Sequence, residues 1–201
     1  IIIAILITSF IIDKILDTLN VRHYNDAIPS ELSDVYDQKE YQKSQNYKKA
    51  NDRFSSITSL ISLIATLAFF FLDGFAFVDQ WARTFSDNNI IIALIFFGSI
   101  MFASDILSTP FSYFHTFVIE EKFGFNKTTI KTFFLDKVKG WAMSALLGGL
   151  MLAVIIWFYE STGNNFWLYA WGMVAVFAFF MNMFYARLIV PLFNKQTPLE
   201  E

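Results

Sequence analysis

Apolar residues in this chain collect in long runs, not at the spacing of a strand or of one helix face. Five runs stand out, at 1–19, 54–78, 90–119, 141–159 and 166–190. Runs of about 18 or more apolar residues with few charges read as membrane-spanning helices. The pattern therefore predicts an all-α fold, a multi-pass transmembrane bundle of about five helices. The first run is free of charge only to Ile12. Part of that span is expected upstream of Ile1, and the chain reads as a fragment trimmed at one or both ends. Trp141, Trp157, Trp167 and Trp171 lie near run ends, where amphipathic rings favour the headgroup region.

The polar intervals set the orientation. The loop 20–53 carries Arg22, Lys39, Lys43, Lys48, Lys49 and Arg53. The loop 120–140 carries Lys122, Lys127, Lys131, Lys137 and Lys139, and the end of the chain carries Arg187 and Lys195. Five crossings place all three regions on one side. The opposite loops hold only Arg83, and Lys14 sits inside the first run. The positive-inside rule then expects the basic loops and the C-terminal end in the cytoplasm and the N-terminus on the other side. Within 20–53, Pro29 and Ser30 form a plausible helix start, and Tyr36, Glu40, Lys43 and Tyr47 share one helix face. A cytoplasmic helix leading into the second span is expected there. The bland alternative is a solvated connector.

Composition sharpens this picture only slightly. Of 201 residues, 55% are hydrophobic and 16% charged, well below the quarter usual in soluble domains. The absence of cysteine excludes disulfides and thiolate metal sites. The histidines, His23 and His115, stand far apart. No HExxH, phosphate loop or nucleophile elbow is present, and nothing points to nucleic acid.

A few residues break the apolar rule. Asp105 lies inside the third run, at an insertion cost of about 2.5–3.5 kcal/mol at a helix centre. It is a functional group, an interhelical hydrogen-bonding one, or simply a residue near a membrane boundary. Asn182 in the fifth run is expected to hydrogen-bond between helices. The third run is too long for a bilayer core of about 30 Å. Either Pro110 kinks it or its last turns emerge, which would set His115, Glu120 and Glu121 at the membrane surface. His115 has no local partner at metal-ligand spacing and reads as a hydrogen-bonded structural residue. Pro110, Asp105 and Asn182 would also fit a path through a transporter or channel, and a non-catalytic membrane scaffold stays open as well.

Three stretches carry a resemblance. They are YQKSQNYKKANDRF, STPFSYFHTFVIEEKFGFNKTT and YARLIVPLFNKQTPLEE, in that order. Together they resemble the integral-membrane zinc metalloproteases called CAAX prenyl protease 1, over the family's N-terminal membrane portion. The resemblance implies a full-length zinc endopeptidase acting on C-terminal CAAX or other membrane-associated peptides, prenylated ones included. Its zinc ligands, in HExxH and a downstream glutamate, would follow the PLFNKQTPLE stretch. No cofactor is expected in this fragment, which would be catalytically inactive. Its expected partners are the lipid bilayer and the zinc domain that follows. The resemblance makes Glu120, Glu121, Lys122, Phe123, Gly124, Phe125 and Asn126 a shaped cytoplasmic loop beneath that domain. The rival reading is a helix end that satisfies only its own backbone.

Overall fold

The computed structural model describes residues 1–22, 24, 28 and 37–194. His23, the Pro29–Ser30 helix start, Tyr36, Lys195 and the end of the PLFNKQTPLE motif lie outside the described residues. The described elements are helical, and no strand is found among them. They form two compact units: residues 1–77 with 105–127, and residues 78–104 with 128 onwards.

In the first unit, α1 (Ile2–Val21) packs against α2 (Gln38–Phe71). Asp37 caps α2, its carboxylate accepting from the amides of Lys39 and Glu40 at 2.8 and 3.1 Å. At 34 residues α2 is about 51 Å long, far more than the hydrocarbon core requires. Its polar first half is helical, as expected of the segment leading into the second span, and is continuous with that span. Lys14, the charge inside the first run, is neutralised locally. Its ammonium reaches Asp17 and Ser56 Oγ of α2, each at 3.0 Å.

Just beyond α1, the Tyr24 hydroxyl donates to Asp52 of α2, and Lys48 lies over the Tyr24 ring. That bond, helped by partial burial and the nearby carboxylates, pushes the Tyr24 phenol from 10.0 up to about 12. A raised folded pKa means stability present below the unfolded value and lost as pH climbs through the folded one. The α1–α2 clasp is therefore expected to hold below pH 10 and to loosen between pH 10 and about 12. Tyr24→Phe keeps the ring under Lys48 and should remove that alkaline step from the unfolding profile. A step that survives the substitution would assign it to the lysine instead.

The second run does not stay helical over 54–78. α2 ends at Phe71, Asp73 takes a positive φ of 54°, and a separate helix α3 (Gly74–Arg83) begins. The third run forms α4 (Asn89–Phe114), which continues through Pro110. It then widens to a π-helical segment, His115–Glu120, before a final turn, α5 (Glu121–Phe123). The whole helical stretch from Asn89 to Phe123 is 35 residues, so its end projects beyond a bilayer core. Asp105 is half-buried, and its carbonyl accepts from Ser108 Oγ at 3.0 Å and Thr109 Oγ1 at 2.6 Å.

The lysine-bearing stretch 120–140, read as a loop, is helical from Ile130. Thr129 caps α6 (Ile130–Met143) by accepting from the Thr132 amide at 3.1 Å. Charged residues do not end a helix; α6 runs through a π-helical segment, Ser144–Gly148, into α7 (Gly149–Thr162). A turn at Gly163–Asn165 reverses the chain into α8 (Phe166–Leu188), followed by α9 (Val190–Phe193). Within this second unit α4 runs antiparallel to α6 and α7. Asn89 Nδ2 donates to Glu160 Oε1 at 2.7 Å at one end, and the rings of Phe102 and Trp141 meet at 4.8 Å at the other. Lys139 ties α6 to α9, donating to the Leu192 carbonyl at 2.9 Å. Asn182 lies exposed on α8. The described helices bury almost no side chain, as expected of elements that face lipid.

Candidate functional site

The motif residues 120–126 come together with the polar half of α2 in the first unit. Residues 43, 47, 51 and 54 fall along one α2 face by their three- and four-residue spacing. Each touches the π-helical segment, the turn beyond it, or the last residue of α4.

The turn is a Schellman motif. The Phe125 amide bonds the Glu120 carbonyl at 2.9 Å, and the Gly124 amide bonds the Glu121 carbonyl at 3.1 Å. Gly124 sits at φ 78°, ψ 22°, a left-handed conformation that disfavours a Cβ. Gly124→Ala is expected to cost about 1–2 kcal/mol. Gly124→Asn should recover part of that loss in a detergent thermal melt, since asparagine visits this region more readily.

Side chains then dock this turn onto α2. The Tyr47 ring meets Phe123 at 5.3 Å and Phe125 at 4.8 Å, both edge-on. Lys43 Nζ lies 5.4 Å from the Phe125 ring centre and Lys122 Nζ 5.7 Å from that of Phe123. One turn along α2, Asn51 Nδ2 donates to the Tyr47 carbonyl at 3.1 Å. This turns its Oδ1 toward His115 Nε2, 2.7 Å away, and so places a proton on Nε2. His115 Nδ1 faces Glu120 Oε1 at 3.8 Å, and the same oxygen accepts from the Tyr47 hydroxyl at 3.4 Å. Phe54 closes the cluster, stacking on Phe114 and tilted against His115.

The two glutamates thus have different environments. Glu120 turns inward to Tyr47 and His115. Glu121 is exposed and accepts from Asn126 Nδ2 at 2.9 Å. Self-satisfaction of the backbone is real, but it is only part of the arrangement. Sequence reasoning placed Lys43 and Tyr47 on a shared face and missed Asn51, which simply extends that face by four residues. His115 is the hydrogen-bonded residue expected. Asp105 and Pro110 lie earlier along α4, and Asn182 lies on α8 in the second unit.

The residues present do not fit a metal. His115 spends Nε2 on Asn51, and no group of three or more His, Cys, Asp or Glu side chains is gathered among the described residues. What the cluster does is hold a preformed turn, with an outward carboxylate and two phenylalanines, against a rigid helix.

Fold and site together define an all-α, multi-pass integral membrane protein with a shaped turn fixed on one helical extension. The chain belongs to the CAAX prenyl protease N-terminal family, described by five membrane helices, whose pattern matches residues 17–195. It is 34% identical over 185 residues to a Schizosaccharomyces pombe protein named "Probable CAAX prenyl protease 1", covering 86% of this chain and 39% of that one. It is 28% identical over 181 residues to the human CAAX prenyl protease 1 homolog, covering 87% of this chain and 38% of the relative. The crystal structure of S. mikatae Ste24p superposes with a TM-score of 0.92 at 30% identity, over 100% of this chain and 48% of that one. The chain thus spans about two fifths of the length of the curated relatives it matches.

Proposed function

We propose that this chain is the N-terminal membrane scaffold of a zinc metalloendopeptidase of the CAAX prenyl protease 1 type. The complete protein cleaves C-terminal CAAX or other membrane-associated peptides, prenylated ones included. The zinc and its ligands belong to a domain following residue 201. The scaffold supplies the membrane helices and, on the cytoplasmic face with the other basic segments, the seat for that domain. The N-terminus lies on the opposite side. Glu120 to Asn126 form the seat: Glu121 offers a carboxylate to basic groups of the zinc domain, and Phe125, half exposed at 51%, offers an apolar contact.

The observation that carries this reading is the likeness to Ste24p over the whole chain, together with a family-motif turn already held in one conformation. The test uses the complete protein in liposomes with a farnesylated CAAX peptide. Cleavage is expected, and a zinc chelator should abolish it; the 201-residue chain alone should show none. Glu121→Gln should lower kcat/KM about tenfold, the loss of one charge-assisted contact of about 1.5 kcal/mol. A variant matching the parent in both stability and proteolysis would remove the seat from the proposal.

A further inference from the structure

We propose that α3 is an interfacial helix, lying with one face in the headgroup–acyl boundary of the leaflet at the end of the second span. In helical projection Phe75, Phe77, Val78, Trp81 and Ala82 share one side of it, and Ala76, Asp79, Gln80 and Arg83 the other. A short helix with an apolar, aromatic face and a polar opposite face suits the plane of the membrane surface.

The corner before α3 is tightly packed. Asp73 has its positive φ there, and a Cβ on Gly74 would lie 2.4 Å from the Phe69 ring. Phe75 packs edge-on against Phe69 at 4.7 Å and Phe70 at 5.0 Å. Phe75 is used in the corner, Ala82 is buried and Trp81 meets Phe85 edge-on at 5.0 Å, yet two large side chains of the face stay accessible: Phe77 is 70% exposed and Trp81 44%. Phe71 and Leu72, at the end of α2, are also exposed, so the apolar surface of the span continues to the corner. Trp81 is of the residue type that prefers the interface.

The polar face argues for the occupant. Arg83 Nε bonds Asp79 Oδ2 at 2.8 Å, so its charges pair with each other and do not advertise for an acidic partner. The partner is therefore the lipid interface itself, bound by apolar area and indole preference and not by headgroup charge. The inference needs only that α2 crosses the bilayer; it does not rest on the protease reading.

The chain contains no cysteine, so single labels need no prior substitutions. Phe77→Cys and Trp81→Cys report the apolar face; Ala76→Cys and Gln80→Cys report the polar one. Each variant of the full chain is spin-labelled in phosphatidylcholine liposomes, and its accessibility to oxygen and to an aqueous nickel chelate is measured. Far-UV circular dichroism checks the fold, and Phe77→Cys, at the more exposed site, carries the test alone if the tryptophan variant misfolds. The expected result is a label depth of about 5–10 Å at 77 and 81, favouring oxygen, with 76 and 80 favouring nickel. Nickel access at all four sites overturns the proposal. Immobilised labels at 77 and 81 that are shielded from both reagents also overturn it, because the face would then be covered by protein.

Discussion

Tyr47→Ala is expected to free the 121–126 turn from α2 and to destabilise the first unit by about 3 kcal/mol. The ring makes edge-on contacts with both Phe123 and Phe125, and such pairs contribute about 0.5–1.5 kcal/mol each beyond their buried area. Truncating a large aromatic side chain adds the cavity it leaves. Tyr47→Phe keeps both ring contacts and loses only the hydroxyl, whose bond to Glu120 is long at 3.4 Å. That variant should cost less than about 1 kcal/mol. Unfolding in mixed micelles gives the two numbers. Limited trypsin digestion gives an independent view, because Lys122 lies in the turn and Lys127 just beyond it. Faster cleavage there in the alanine variant, and not in the phenylalanine variant, is the expected pattern. Equal losses for the two substitutions would mean that the hydroxyl, and not the ring, holds the turn.

The second large effect is at Asn51. Asn51→Leu removes the acceptor for His115 Nε2 and leaves a half-buried N–H without its partner, at a cost of about 1–3 kcal/mol. His115→Phe removes the other member, keeps a ring against Phe54, and should be milder. If the bond is what matters, the double variant loses less than the sum of the two singles, by about 0.5 kcal/mol or more. Strict additivity would show that the pair merely sits close. Asn51 also donates to the Tyr47 carbonyl, so its loss reaches the docked turn through its own helix.

These two predictions mark where sequence reasoning stopped. The face containing Lys43 and Tyr47 was legible from spacing alone, and Asn51 continues it. His115 lies 64 positions from Asn51, and no local pattern announces the pairing. The turn was recognisable as a motif because glycine after Lys122-Phe123 suits a helix stop. Its docking partner was not, because one aromatic residue among many has no address in the sequence. Two misreadings were local. The stretch 130–140 reads as loop from its place between two apolar runs, although Thr129 carries a cap signal. The run 54–78 was read as continuous, although Asp73-Gly74 marked a break.

By itself the sequence determined the class. A lipid core accepts only self-satisfied helices or closed barrels, so long apolar runs commit the backbone to α-helix before any packing is known. Tertiary structure decided which polar groups meet. The Tyr47, Asn51, His115 and Glu120 contacts depend on the register between the α2 extension and the π-helical end of α4. A shift of one residue, about 1.5 Å along and 100° around a helix, would separate them. Hydrophobicity fixes which residues enter lipid, but it is nearly indifferent to such a shift, and so it could not have set that register.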